Sequence, residues 1–333
     1  MRRKRAEKRA VKEHEESTRQ VKRTTRVKRK PDSRTISVSI IGAGRLGTAL
    51  ALALDALDGY IIEAVAARRL SQARRAAGLL RVRPKALAAA ELNLLPPTDL
   101  LFITTRDDAI AATAAQLARV FSPQLQQRHI AFHMSGALSS EILRPLGRVG
   151  FHTGSMHPLI SISNARHGAE SLREAFYCIE GDAQTVRAAR RIVRALGAQS
   201  FKINARDKAL YHAAAVMSAG HIVALFDMAA ETLAHCKLSA AQARKVLLPL
   251  ARSTIENLSV ISPARALTGS FARADIVTVR NHLAAMRSKK ALRAALEVYL
   301  LLGAHSLELA RENGVNPAAL EEIRRLLKRT KLR

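Results

Sequence analysis

The stretch SVSIIGAGRLGTALALAL, running from Ser37 to Leu54, decides how this chain folds. An apolar strand containing Val38, Ile40 and Ile41 runs straight into Gly42-Ala43-Gly44-Arg45-Leu46-Gly47, and an Ala/Leu helix follows at once. A dinucleotide needs that order. The first glycine permits a tight turn, and the second lets the backbone approach a pyrophosphate. The third allows close helix–strand packing, while the helix N-terminus offers free N–H groups to the anion. Gly42, Gly44, Arg45, Leu46 and Gly47 are therefore the first candidate cofactor residues.

The second strand indicates which nucleotide. Tyr60 to Ala66 reads as that strand, although Glu63 interrupts it. A carboxylate at its end would hold the ribose hydroxyls of NAD. Here the strand ends in Ala67-Arg68-Arg69-Leu70-Ser71. Two guanidiniums and a hydroxyl suit a 2′-phosphate, because Arg binds phosphate through a fixed fork of donors. Arg68, Arg69 and Ser71 thus point to NADP(H), against the plainer reading of a solvated basic helix start.

At 333 residues the chain holds about two domains. Aromatics are only 4% and Trp is absent, so the core must be built from Ala, Leu, Val and Ile. Cys178 and Cys236 stand far apart without a CxxC, which excludes a disulfide framework or zinc ribbon and fits a reducing cytoplasm. The net charge of +28 is concentrated in part in residues 1–34, which carry 15 Lys/Arg against 5 Asp/Glu. That tail has no apolar periodicity and is expected to be disordered. It is either an arm for nucleic acid or anionic lipid, or an extension without function; it lacks the apolar core of a secretory signal. The basic body attracts anionic ligands in general, a small anionic substrate included. The longest helical apolar stretch, Leu210 to Leu233, contains His212, His221, Asp227 and Glu231. It reads as a buried helix of a soluble domain and not as a membrane span.

Beyond the first βαβ unit the alternation continues. Asp99 to Thr105 is a buried strand leading to Arg106-Asp107-Asp108, and a helix is expected from about Ala109 to Phe121, capped by Asp107 or Asp108. Short strands from His129 to His133 and from Val149 to His152 lead into Ser135-Gly136 and into Gly154-Ser155-Met156-His157-Pro158-Leu159, and Phe176–Ile179 and Gln199–Ile203 flank another helix. Strands alternating with helices give a mostly parallel, doubly wound sheet, whose ligands gather at the carboxyl ends of the strands. Thr104, Thr105, Ser135, Gly136 and His157 lie at such ends. From Asp207, a plausible N-cap, nearly everything is helical, with Ser239 and Gln242 forming a capping box. The expected fold is α/β followed by all-α: a basic tail to residue 34, a nucleotide domain over 35–206, and a helical domain over 207–333.

The helical domain opens with Lys208-Ala-Leu-Tyr-His212, which places Lys208 and His212 on one helix face. A Lys beside a cleft can protonate, or electrostatically stabilise, the oxyanion that forms as hydride reaches a carbonyl carbon, and His212 can orient the same oxygen. Spacing alone equally fits an exposed Lys and a core His. His129, His133, His152 and His157 invite a metal reading, but strand residues four apart lie about 13 Å from each other. No acidic or Cys partner completes a ligand set, so no metal is expected.

GAGRLG, SGALSSEIL, SMHPL, KALYHAAA and the ALTGSFARAD…TV…HL run from Ala266 to Leu283 occur in this order. Together they resemble a family of bacterial oxidoreductases with a Rossmann-like domain and a helical domain of unknown function. It is related to ketopantoate reductase, pyrroline-5-carboxylate reductase and prephenate dehydrogenase, in the 6-phosphogluconate dehydrogenase-like group. The resemblance covers residues 36–325. It implies a catalytic Lys at Lys208, with His212 standing where relatives carry Asn. It makes His157, in SMHPL, a second proton-transfer candidate, and places Ser270, Arg273 and Asp275 in the cleft, Arg273 as a clamp for a substrate carboxylate. A homodimer formed through the helical domain is also implied.

Two readings follow. In one, an NADP(H)-dependent oxidoreductase transfers hydride to or from a small carbonyl or imine acid in an interdomain cleft. In the other, a non-catalytic module senses the nucleotide and contacts nucleic acid through the tail.

Overall fold

The computed structural model describes residues 35–121 and 129–330. The basic tail, with its nucleic-acid reading, lies outside them. The described chain forms two compact units, one ending at His212 and one beginning at Ala213.

The first unit is built on β1 (Ile36–Ile41), α1 (Arg45–Asp55), β2 (Tyr60–Ala67), α2 (Leu70–Ala77), β3 (Lys85–Ala88), β4 (Leu100–Ile103) and α3 (Asp107–Val120). It continues with β5 (Ile130–His133), α4 (Arg144–Arg148), β6 (His152–Leu159), α5 (Ala165–Ser171), β7 (Phe176–Gly181), α6 (Ala183–Ala195) and β8 (Gln199–Lys202). The eight strands make one sheet in the order β3-β2-β1-β4-β5-β6-β7-β8, parallel throughout except for the antiparallel β6–β7 pair. The Rossmann-like α/β fold read from the sequence is present, with β3 as an added edge strand that the KALA segment does not announce. Its central strands are apolar on both faces, as a sheet covered on both sides requires. Val38, Ile40, Phe102 and Phe132 anchor one cluster with Leu50 and Leu54 of α1. Ile41, Leu101 and Ile103 anchor the other with Ile110 and Leu117 of α3. The rings of Phe102 and Phe132 stack at 5.4 Å.

β1 lies between β2 and β4, so the chain turns to opposite sides of the sheet from this point. A crevice opens there at the carboxyl ends of the strands. Two local expectations are corrected. SMHPL does not follow a strand: antiparallel pairing with β7, from Gly154↔Gly181 to Leu159↔Phe176, keeps β6 extended through His157 and Pro158. β5 stops opposite Ser155, which leaves an open side where the missing N–H of Pro158 is tolerated. Asp107 and Asp108 lie inside the first turn of α3 and Arg106 takes the cap position, because the Asp107 carboxylate is drawn to Ser135.

α7 (Lys208–Ser218) begins in the first unit. Asp207 does not cap it; it closes a short 3-10 turn and accepts from the Asn204 amide. The second unit continues with α8 (Gly220–Ala234), α9 (Ala240–Leu258), α10 (Pro263–Ala266), α11 (Gly269–Ala272), α12 (Ile276–Arg287), α13 (Arg293–Glu312) and α14 (Pro317–Arg329). Ser239 and Gln242 form the expected capping box at α9. Val279, Leu283, Leu307, Ile323 and Leu327 of α12 to α14 make its core.

The Leu210–Leu233 stretch is not a buried helix. It breaks at Ala219 into α7 and α8, and its side chains are largely exposed; within α8 only Ala230 is buried. Residues 205–234 are long and apolar enough to span a membrane by length and composition.

Candidate functional site

A pocket of about 370 Å³ opens at the crevice, lined by Gly44, Arg45 and Leu46 at one end and by Gly136, His157 and His212 at the other. Thr104, Thr105, Asp107, Ser135, Pro158 and Ile162 are among the other residues of its wall. All of these belong to the first unit.

The glycine loop is shaped by steric necessity. Gly42 has φ +124°, and a Cβ there would lie 2.6 Å from the Thr104 carbonyl carbon. A Cβ on Gly47 would lie 1.9 Å from the Gly42 carbonyl oxygen. Gly44 differs: a Cβ there would meet nothing, so its face is open space at the start of α1. Gly44 is also the N-cap, without a side chain to satisfy the first N–H groups, and no acidic residue enters the first turn. Bare N–H groups facing open space fit a pyrophosphate. Thr104 braces this loop, donating to the Gly42 carbonyl at 2.7 Å. The Thr105 hydroxyl is sealed from solvent and makes no hydrogen bond among the described residues.

Arg68 and Arg69 follow the end of β2, both exposed, and Arg69 is the N-cap of α2. Neither forms an ion pair among the described residues, and Ser71 is exposed in the first turn of α2. The β2 end thus presents two exposed guanidiniums and a hydroxyl.

The other end of the pocket is a hydrogen-bonded block. Ser135 donates to Asp107 at 2.8 Å and accepts from the N–H groups of Ala137 and Leu138, so its hydroxyl is fully used in holding the turn. Lys208 is 1% exposed and does not line the pocket. Its ammonium donates to Ser155 Oγ at 2.7 Å and to the Ser135 carbonyl at 3.1 Å. Burial lowers its pKa, while Cys178, Glu180 and Asp107 oppose the shift. Glu180, also buried, accepts from Ser140 N and Oγ at 2.7 Å each.

Above Lys208 stand two histidine rings. His157 and His212 meet edge to face at 5.9 Å, with Gly136 packed against both. A Cβ on Gly136 would approach His212 Cδ2 to 2.6 Å and His157 Cε1 to 2.8 Å. His157 Nδ1 bonds the Tyr211 hydroxyl at 2.7 Å. Burial, with the charges of Lys208 and His212, lowers the His157 pKa to about 4. His133 is likewise pushed down to about 4, first by burial and then by Lys208. It accepts from Ser135 N on Nδ1 and donates through Nε2 to the Ser139 carbonyl.

The four histidines that invited a metal reading therefore separate. His129 bonds the Thr98 carbonyl, His133 the turn, and His152 the Asp182 carboxylate; only His157 faces the pocket. No cluster of metal-ligating side chains occurs among the described residues.

Ser270, Arg273 and Asp275 lie in the second unit. Asp275 caps α12, accepting from Thr278 N at 3.0 Å and Thr278 Oγ1 at 2.6 Å, and its N–H donates to the Ser270 carbonyl. Those bonds, helped by Arg273, hold its carboxyl below the usual range. The helix start thus uses Asp275 itself. Sequence reasoning missed Tyr211, Ser155, His133 and Asp107. Tyr211 could have been found, since it sits three residues from Lys208 on the same helix face.

Comparison with known proteins agrees with this layout. Residues 23–158 match the model of a Rossmann-like domain, and residues 175–306 match the domain of unknown function DUF2520. The two matches lie one after the other, and the second begins within the sheet at the edge of β7. Among solved structures, a Bacteroides fragilis protein described provisionally as an NADP oxidoreductase is 23% identical, with a TM-score of 0.65 over 82% of this chain and 98% of its own. The NADP-bound pyrroline carboxylate reductase of Plasmodium falciparum is 11% identical, with a TM-score of 0.52 over 85% and 98%. An imine reductase from Pseudomonas sp. is 16% identical, with a TM-score of 0.50 over 89% and 93%. These likenesses concern the fold. No curated protein sequence matches this chain.

Proposed function

We propose that this chain is an NADP(H)-dependent oxidoreductase that transfers hydride to or from a small carbonyl or imine carboxylic acid. The observation that carries the reading is one pocket with bare helix N–H groups at one end and His157 and His212 at the other. Gly42 to Gly47 would hold the pyrophosphate, with Arg68, Arg69 and Ser71 on the 2′-phosphate. A bound reduced dinucleotide supplies the hydride. The chain itself supplies His157 and His212 to engage the substrate heteroatom. Lys208 acts from beneath as a fixed positive charge that favours developing negative charge, an effect strengthened by its water-excluded setting. The fold neighbours, an oxidoreductase and two reductases, support the same reaction class.

Calorimetric titration of the full chain with NADPH and NADH tests this. Selective NADPH binding is expected, with Arg68→Ala eroding the preference about tenfold, as the loss of one charge-assisted contact would. Failure to bind either nucleotide sinks the proposal.

We further infer that the apolar residues bared on α8 and α9 are covered by a second copy of the chain. Val223 is 69% and Leu250 63% exposed, far more apolar surface than scattered single residues present. A lipid-embedded role fits poorly, because the same stretch begins with Lys208, bonded into the sheet, and carries Asp227 and Glu231. Sedimentation should show a dimer that Val223→Glu dissociates; a monomeric wild-type chain at tens of micromolar would refute it. Two free cysteines, one buried and one exposed, fit a reducing cytoplasm.

A further inference from the structure

Three groups meet beside the pocket: Cys178 on β7, Tyr211 on α7 and His157 on β6. Cys178 and His157 are cross-strand partners. Tyr211 bonds His157 Nδ1 at 2.7 Å, and the Cys178 thiol lies close enough to act on the same hydroxyl. The imidazole has a second nitrogen. His157 Nε2 makes no hydrogen bond with any described residue, and it is not sealed away like the orphaned Thr105 hydroxyl. It lies on the pocket wall.

The direction of the Tyr211 bond settles what that nitrogen carries. A thiol is a weak donor and its sulfur a weak acceptor, whereas a bare imidazole nitrogen is a strong acceptor. Burial holds the Cys178 thiol protonated. Of the two acceptors near the Tyr211 hydroxyl the imidazole nitrogen is the stronger, so Tyr211 O–H donates to His157 Nδ1. The reverse would spend the phenol proton on sulfur. A neutral ring with Nδ1 bare carries its proton on Nε2.

The ring is also kept neutral. The charged or titratable groups around it are Lys208, Tyr211 and His212 on α7, Cys178 on β7, and His133 with Asp107 near the turn. Lys208 and His212 are the charges that act on it, both opposing protonation. The one pocket carboxylate, Asp107, is engaged by Ser135.

We propose that Tyr211 is a positioning residue that fixes His157 as a neutral imidazole with Nε2–H directed into the pocket. A donor at that point pairs with an atom bearing a lone pair. A carbonyl oxygen or an uncharged imine nitrogen fits; a protonated imine, which has no lone pair and meets the field of Lys208, does not. The tautomer rests on the Tyr211–His157 bond and on the burial that keeps the ring neutral, while its meaning for substrate choice rests on the hydride-transfer reading above.

The test is nitrogen-15 NMR of the full chain labelled at histidine, with His157→Gln locating the resonances. Expected is a neutral His157 ring, Nε2 protonated and Nδ1 bare, from pH 8 down to pH 5. Tyr211→Phe should convert it to a mixture of tautomers, with Nε2–H losing its dominance. A proton on Nδ1 in the wild-type chain, or an imidazolium at pH 6, overturns the proposal. An unchanged His157 spectrum in Tyr211→Phe removes Tyr211 from the role. If that variant does not fold, the wild-type spectrum alone decides the tautomer. Neither readout needs cofactor or substrate, so absence of NADPH binding would fail the oxidoreductase reading and leave this result standing.

Discussion

The two units handle apolar side chains in opposite ways. The first encloses them: Val38, Ile40, Leu50, Leu54, Phe102 and Phe132 are fully buried in a double-sided sheet core. The second has an enclosed core only where α12, α13 and α14 meet, while α8 and α9 each bury a single alanine. A sheet covered on both faces completes itself. A helix hydrophobic nearly all round needs a partner on every side. The contrast teaches that the site-bearing unit buries its own apolar residues, whereas α8 and α9 leave theirs exposed in the single chain.

Truncating one large side chain in each region is the bluntest way to break this comparison. Phe102→Ala should cost about 3–5 kcal/mol, through lost burial and a cavity beside Phe132. Leu250→Ala, at a residue 63% exposed in the single chain, should change stability by less than about 0.5 kcal/mol if α9 stays bare. Urea titration measures both. A cost of several kcal/mol at Leu250 that grows with protein concentration would show that the exposure ends on association.

The histidine block gives the next largest effect, and it belongs to the first unit alone. His133 and His157 are neutral when folded and take up protons only near pH 4, whereas an unfolded histidine does so near 6.5. Between those values the unfolded chain binds more protons. Stability is therefore lost as pH falls from 6.5 through 4, by on the order of 2–3 kcal/mol per ring, and is independent of these rings above 6.5. His133→Asn should flatten that slope between pH 6.5 and 4.5 in urea midpoints, even where it lowers stability at pH 7. An unaltered slope would show that the ring is charged in the folded chain.

How much was legible beforehand follows the same division. Ser37 to Leu54 revealed the strand, glycine turn and helix at one end of the pocket, because glycine positions there answer to backbone clashes that sequence order exposes. The histidine end was legible only as residue types. Lys208, His157 and His212 were named, but whether a lysine lines a pocket or props one depends on Ser135 and Ser155, which arrive from two other strands. Tyr211 stayed unread because its partner His157 is 54 positions away. The apolar run from Leu210 to Leu233 misled for a related reason: hydrophobicity reports that a face wants covering, not whether the same chain covers it.

Helix capping provides the mildest test, and here the two units should agree. Asp182 accepts from Thr185 N at 2.8 Å at the start of α6, and Asp275 accepts from Thr278 N at 3.0 Å at the start of α12. Asp182→Ala and Asp275→Ala should each cost about 1 kcal/mol, the usual worth of such a cap. Asp182 also holds His152, so its loss should be the larger of the two, leaving His152 without its partner. If Asp275→Ala instead leaves urea midpoints unmoved while weakening ligand binding, its carboxylate serves the substrate more than the helix. That outcome would restore to Asp275 the role its sequence context first gave it.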